Sequence, residues 1–288
     1  RKNCDYCGIR NKNRMITRYR LTPDEIVATA KMAWDLGYKT VVLQSGEDFW
    51  YTQDRVSTII RGIKAITGMA ITLSIGERDA DTYRAWRDAG ADRFLLRIET
   101  TDPELFARLH PDDNLDARKA CLITLRDLGY QLGSGVMVGL PGQTSAMLAR
   151  DVIWMHDIGV EMIGIGPFLP HPATPLADST SGTIDQALRL VSVLRLVFPN
   201  AHIPATTAVE TIESGGRERA LMAGANIVMP NVTPSDHTAG YELYPNKFRA
   251  NNTVEAYRRC IEAQILAIGR NIATDAGHVA GRKGGTHS

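Results

Sequence analysis

Strand-like and helix-like stretches alternate along this chain from end to end, and this alternation restricts the fold more than any other feature. Runs with strand character fall at residues 39–44, 69–74, 92–98, 131–138, 162–168, 202–207 and 226–230. Helical stretches fall at about 53–66, 79–89, 115–128, 144–158, 185–197, 215–223 and 252–268, and one more precedes the first strand. Such alternation specifies βαβ units and a parallel sheet. The leading helix is the best marked: Thr22 stands at its N-cap, Pro23 at its first position and Glu25 at the capping-box position, and Gly37 ends it. Seven strands and eight helices, helix first, are the pattern of an α/β TIM-type (βα)8 barrel whose first strand lies before residue 1.

A chain of 288 residues with 44% hydrophobic and 23% charged residues can bury one large core, and no shift in composition divides it. Residues 1–288 are expected to form a single domain, with a cysteine loop at 1–10 and a C-terminal helical segment at about 245–288. The net charge of +1, with acids and bases interspersed, leaves no electrostatic footprint for nucleic acid. No apolar run of about 18 residues is present to span a membrane. Four cysteines in a chain this long make no disulfide framework, which points to a reducing, cytoplasmic compartment.

In such a barrel the chemistry sits where strands end in βα loops. Polar or glycine-rich segments cluster there: Gln44 to Asp48, Thr72 to Glu77, Arg97 to Thr100, Gly139 to Gly142, Gly166 to Phe168, Ala205 to Ala208, and Pro230 with Asn231. Arg97 and Glu99 share a face, and charges aimed into a barrel mouth are costly unless paired or bound to something. Thr72 and Ser74 also share a face, where core hydrogen bonding is an even alternative. The Gly46-Glu47 turn reads as a helix-capping turn or a receptor for an ammonium group. Arg118, early in a helix where its charge opposes the dipole, is either solvated or a carboxylate ligand. Met162 and Met229 read most simply as core fillers. Of Thr206 and Thr207, one faces the barrel and one the helices. His110, His171 and His202 read as loop histidines, and Cys121 as a buried small hydrophobe.

Cys4 and Cys7 are spaced as Cys-x-x-Cys around Tyr6. That spacing has three readings: a redox pair, half a zinc site, or part of an iron-sulfur ligand set. No second such pair follows, which weakens zinc, and the long α/β pattern exceeds a small thioredoxin-like domain. The iron-sulfur reading needs a third thiolate, and a cysteine immediately before Arg1 would complete the Cys-x3-Cys-x2-Cys spacing of radical S-adenosylmethionine (SAM) enzymes.

Taken with Cys4-Asp-Tyr-Cys-Gly-Ile-Arg10, the segments Tyr19 to Glu25, Val42 to Asp48, Ala89 to Arg93, Met137 to Thr144, Ile163 to His171, Ile203 to Ala208 and Gly224 to Asn231 closely resemble the FeFe-hydrogenase maturases of the HydE family. These belong to the biotin synthase-like branch of the radical SAM enzymes. The resemblance implies a complete eight-stranded barrel and a four-iron four-sulfur cluster held by three thiolates, two of them Cys4 and Cys7. It implies reductive cleavage of SAM to a 5'-deoxyadenosyl radical, with an external electron donor. By matching position, Tyr6 would lie near the adenine and Gly46 with Glu47 near the methionine ammonium. Glu99 and Arg118 would serve the ribose and the methionyl carboxylate, with Ser74 beside them, and Met162 would line the adenosyl pocket. Ser45, Thr72, Arg97, Thr206, Thr207, Met229 and Tyr244 would form the cavity for an anionic or sulfur-containing substrate. In the family this substrate is thought to be an iron carbonyl cyanide cysteine complex supplied by the partner maturase HydG.

The sequence departs from the family pattern at three places. The first cluster cysteine lies before Arg1. Between Lys247 and Cys260 only Cys260 remains of an accessory cluster set, with Arg249 and Tyr257 at the other positions, so no accessory C-terminal cluster is expected. Ile98 stands where a histidine is expected between Arg97 and Glu99. Three other readings stay open: an HmdB-like enzyme, a methylornithine synthase-like mutase, and a cluster-free paralogue that binds or delivers a metallocofactor.

Overall fold

The computed structural model describes residues 1–234, 237, 243 and 253–280. Five strands, β1 (Thr40–Gln44), β2 (Ala70–Ser74), β3 (Arg93–Leu95), β4 (Gln131–Val138) and β5 (Met162–Pro167), pair in parallel and in sequential order. Parallel bridges from Met162 to His202 and from Pro204 to Ile227 carry the order to a sixth and a seventh position. Around them, among the described residues, lie α1 (Pro23–Asp35), α2 (Gln53–Ile66), α3 (Ala80–Asp88), α4 (Pro103–Leu109), α5 (Leu115–Asp127), α6 (Ser145–Asp157), α7 (Ile184–Val197), α8 (Thr207–Ile212), α9 (Gly216–Ala223) and α10 (Val254–Ala267). This is the TIM-type α/β architecture expected from the alternation.

Local chemistry sets these elements. Thr22 caps α1 in a full capping box, accepting from the Glu25 N–H while the Glu25 carboxylate accepts from the Thr22 N–H at 2.7 Å. Val56, Ile59, Ile60 and Ile63 recur at helical spacing and form the buried face of α2. Outside the sheet Tyr83, Trp86, Phe94 and Tyr130 are fully buried, and their polar tips are satisfied: the Tyr130 hydroxyl donates to the Tyr83 carbonyl at 2.7 Å and Trp86 Nε1 donates to the Gln53 carbonyl at 3.0 Å.

The inner face carries small residues at β4 and β5. Ile163 and Ile165 pack outward in the core, so Gly164 and Gly166 face the interior. A Cβ on Gly164 would meet the Ser134 carbonyl in ordinary contact, at 3.7 Å, and no other atom within 4 Å.

At the opposite end from the strand termini the chain closes the floor. After α10, residues 271–280 run without helix or strand, and among the described residues of the C-terminal segment the helix is Val254–Ala267. The carbonyl of Ala276 accepts from Thr40 Oγ1 at 2.8 Å and from Arg93 Nη2 at 2.6 Å, and that of Gly277 accepts from Arg93 Nη2 at 2.8 Å and His202 Nε2 at 2.7 Å. These partners stand on β1, β3 and the sixth position, which a flat sheet would spread over about 24 Å. One short segment reaches all three because the sheet is curled.

Several stretches differ from the sequence reading, among them the expected strand 226–230, which keeps only the bridge at Ile227. The expected strand 202–207 is reduced to bridges at His202 and Pro204, because proline has no N–H for the ladder, and α8 begins at Thr207. The run 92–98 keeps strand pairing only at Arg93–Leu95; further on, the Ile98 N–H donates to Ser134 Oγ at 3.2 Å in place of a ladder carbonyl. The short helix α4, capped by Asp102 with Pro103 first, was not expected.

Candidate active site

The loop of residues 1–10 lies over the C-terminal ends of the strands. Its turn is closed by the Cys7 N–H donating to the Cys4 carbonyl at 3.2 Å. Both thiols are free and half-buried. Burial, with Cys7 alongside, pushes the Cys4 thiol up to about 12, and burial pushes Cys7 up as well. Soft donors three residues apart in one turn suit two corners of an iron-sulfur cluster, which would itself deprotonate them. No group of three or more His, Cys, Asp or Glu side chains spaced to hold a metal ion occurs among the described residues.

Glu99 is the most unusual acid of the mouth. It is 4% exposed and the only non-glycine residue at positive φ, 62°, among the described residues. Arg97 Nη2 lies 3.0 Å from its Oε2, and the Tyr6 hydroxyl lies 3.5 Å from its Oε1. Burial raises its carboxyl above the usual range despite Arg97 and Arg118. Asp151 holds the turn beyond it: its Oδ1 accepts from both the Thr101 N–H and Oγ1 at 2.6 Å. Ile98, between the two charges, is fully buried in the core on the helix side, so the position where a histidine was expected does not line the mouth.

Arg118 is buried, not solvated. It pairs closely with Glu77 and Asp113 and donates to the Arg97 carbonyl at 3.1 Å. Burial works against its charge, yet the two carboxylates outweigh this and hold the guanidinium above its usual value. Arg118 likewise outweighs burial at Asp113, which is held low, whereas burial dominates at Glu77 and raises it. Lys2 adds a second cation, 3.1 Å from Asp113, 3.4 Å from Glu77 and 3.9 Å from Glu47. Removing Arg118 would leave buried acids facing one another.

The structure thus brings together Cys4, Tyr6, Cys7, Glu47, Arg97, Glu99 and Arg118. Gly46 and Ser45 flank Glu47, and the Ser45 hydroxyl donates to the Gly46 carbonyl at 2.6 Å. Thr206 caps α8 without a side-chain cap bond; its buried Oγ1 has no partner among the described residues, and it stands beside Gly166, while Thr207 is the first residue of the helix. Thr72 and Ser74 share the inner face of β2. Met162 begins β5 in register with Gly133, four residues below Gly166. Met229 is 47% exposed beyond the seventh position, and Tyr244 lies outside the described residues. The sequence reading missed Lys2, Glu77, His110 and Asp113. His110 stands in the turn after α4, as expected, but is 2% exposed, and its Nε2 lies 3.0 Å from the Tyr6 hydroxyl. The Asp112-Asp113 pair just before the Asn114 cap was the available signal for an acid facing Arg118.

Known proteins resemble the chain in sequence and in fold. The Radical SAM superfamily model matches residues 1–154. The chain is 47% identical over 283 residues to the [FeFe] hydrogenase maturase subunit HydE of Thermotoga maritima, covering 98% of this chain and 80% of that protein. It is 31% identical over 238 residues to 3-methylornithine synthase of Methanosarcina acetivorans, covering 82% and 67%. Among solved structures, methylornithine synthase (PylB) superposes with a TM-score of 0.83 at 28% identity, covering 95% of this chain and 80% of that one. The maturase HydG of Carboxydothermus hydrogenoformans superposes with a TM-score of 0.74 at 19% identity, covering 93% and 63%, a likeness of fold.

Proposed function

The chain belongs to the radical SAM superfamily and, within it, to the HydE family of FeFe-hydrogenase maturases, and from that premise we propose how its own residues divide the work. It is a radical SAM enzyme of hydrogenase maturation. Cys4 and Cys7 would hold two corners of a four-iron four-sulfur cluster. When bound and reduced, the cluster supplies the electron that cleaves SAM to a 5'-deoxyadenosyl radical.

The observation that carries this assignment is the convergence of Tyr6, Glu99 and Arg118 on the cysteine loop at one barrel mouth. Glu47 and the Gly46 backbone would receive the methionine ammonium, and Arg118 the carboxylate. The buried Glu99, with its raised carboxyl, would meet the ribose hydroxyls, and Tyr6 would lie against the adenine beside Ser74; Met162, lower on the inner wall at the start of β5, remains a candidate for the adenosyl pocket. Deeper in the barrel, Arg97, Thr72, Thr206 and Ser45 supply a cation and hydroxyls. Gly164 and Gly166, facing the interior without side chains, suit a compact anionic substrate such as an iron carbonyl cyanide cysteine complex from a partner maturase. Thr207, Met229 and Tyr244 remain candidates for the same cavity. An external donor would provide the electron, and Cys260, exposed and without a cysteine neighbour on α10, would hold no accessory cluster. No helix among the described residues is long and apolar enough to cross a membrane.

The natural polypeptide, reconstituted anaerobically with iron and sulfide, should release 5'-deoxyadenosine on addition of SAM and dithionite, and Cys7→Ala should abolish that release. A protein carrying its full cluster that yields none sinks the reading. The likeness to methylornithine synthase supports a second small-molecule substrate class. Formation of 3-methylornithine in the same assay would select it.

A further inference from the structure

The segment from Leu109 to Asp113, at the end of α4 and in the turn before α5, grips the cysteine loop at four places. Lys2 Nζ pairs with Asp113 at 3.1 Å, Asn3 Nδ2 donates to Asp112 at 2.5 Å, and the Asp5 N–H donates to the Leu109 carbonyl at 2.8 Å. The fourth contact is the one between the Tyr6 hydroxyl and His110 Nε2, at 3.0 Å. The His110 ring is itself fixed: it stacks on Phe106 with centroids 4.3 Å apart and meets Tyr6 edge-on at 5.5 Å. Its Nδ1 faces the Phe106 carbonyl at 3.3 Å, which places the ring proton on Nδ1 and leaves Nε2 as the acceptor. A phenol has one proton to give, and the 3.0 Å contact outcompetes the 3.5 Å contact to Glu99.

We propose that His110 is a positioning residue for the cluster loop: by accepting the Tyr6 hydroxyl it fixes where that ring stands between Cys4 and Cys7. A tyrosine side chain, free about two bonds, would otherwise sample several rotamers, and a ligand packing against it would have to select one. Of the other three contacts, that of Asp5 joins backbone to backbone and those of Asn3 and Lys2 hold their own side chains, so the bond to His110 is the one of the four that orients Tyr6. The choice of SAM as probe rests on the function proposed above; the role of His110 in holding the loop does not.

Two substitutions separate the bond from the packing. His110→Phe keeps a ring on Phe106 and removes the acceptor, and Tyr6→Phe keeps the aromatic ring and removes the donor. In the reconstituted protein, SAM titrated against the electron paramagnetic resonance spectrum of the reduced cluster reports affinity and cluster environment without turnover. Each variant should weaken SAM binding about three- to tenfold, the size of one net hydrogen bond. The double variant should lose no more than either single one, because both remove the same contact. Wild-type affinity and spectrum in His110→Phe with a full cluster, or losses that multiply in the double variant, would overturn the proposal.

Hydrogen exchange in the cluster-free chain gives a second reading. The Asp5 amide, bonded to the Leu109 carbonyl, should exchange about three- to tenfold faster in either variant, and unchanged exchange there also overturns the proposal. If the unsubstituted protein binds no SAM with its cluster loaded, the radical SAM reading fails, and exchange still decides the role of His110. Tyr6→Phe leaves the α4–α5 turn intact and carries the same test if His110→Phe does not fold.

Discussion

At the scale of single residues, the mouth is built from groups held away from their ordinary protonation behaviour. Burial, helped by the nearby Arg118 charge, lowers His110 to about 4, from a usual value near 6.5. Between those values the unfolded chain takes up a proton that the folded one refuses, so stability falls as pH drops from 6.5 towards 4. His110→Phe should remove that slope, which amounts to up to about 3 kcal/mol across the window. Glu99 and Asp151 act in the opposite sense, because their raised carboxyls stay protonated longer in the folded chain and stability declines as pH rises past their ordinary range. Comparing urea midpoints of wild-type and variant, both cluster-free, across pH 4 to 7 isolates the histidine. Parallel curves would mean that His110 titrates normally in the fold.

At the scale of elements, legibility in the sequence followed how local each signal was. The α1 boundary was readable to the residue because Thr22, Pro23 and Glu25 act within one turn. Helix α4 carried an equally local signal, Asp102 with Pro103 and Glu104, and was overlooked because the run is only seven residues. Strand ends depended on neighbours. Nothing within 92–98 reveals that Ser134 on β4 would accept from the Ile98 N–H, or that Asp151 on α6 would hold the turn after Glu99. The same distinction separates the glycines. A Cβ at Gly135 would overlap the Gly164 carbonyl of β5, whereas a Cβ at Gly129, at φ 79°, would meet no atom within 4 Å. Gly135→Ala should therefore force β4 and β5 apart and cost about 3 kcal/mol or more, while Gly129→Ala should cost only about 1 kcal/mol of backbone strain. Equal shifts in urea midpoint would show that backbone conformation, not the close approach of the two strands, sets both.

At the scale of the whole molecule, both ends of the barrel are organised by a buried arginine, and the two serve different ends. Arg118 at the mouth gathers Glu77 and Asp113 beneath the cysteine loop, whereas Arg93 at the floor spends its donors on neutral acceptors. Its Nε donates to Gln131 Oε1 at 3.2 Å, its Nη1 to Thr40 Oγ1 at 3.2 Å and its Nη2 to the carbonyls of Ala276 and Gly277. The cost of burying that charge shows in its guanidinium, which burial lowers below the usual value. A planar fork reaches β1, β4 and the C-terminal segment together, and a lysine ammonium is a single point that cannot. The floor closure thus depends on arginine geometry and not on positive charge alone. Arg93→Lys should lose about 2–4 kcal/mol of stability, the worth of one or two hydrogen bonds to a charged group. It should also expose residues 275–280 to faster hydrogen exchange while leaving exchange at the cysteine loop unchanged. If exchange at the loop rises equally, the floor and the mouth unfold as one cooperative unit and the division between them fails.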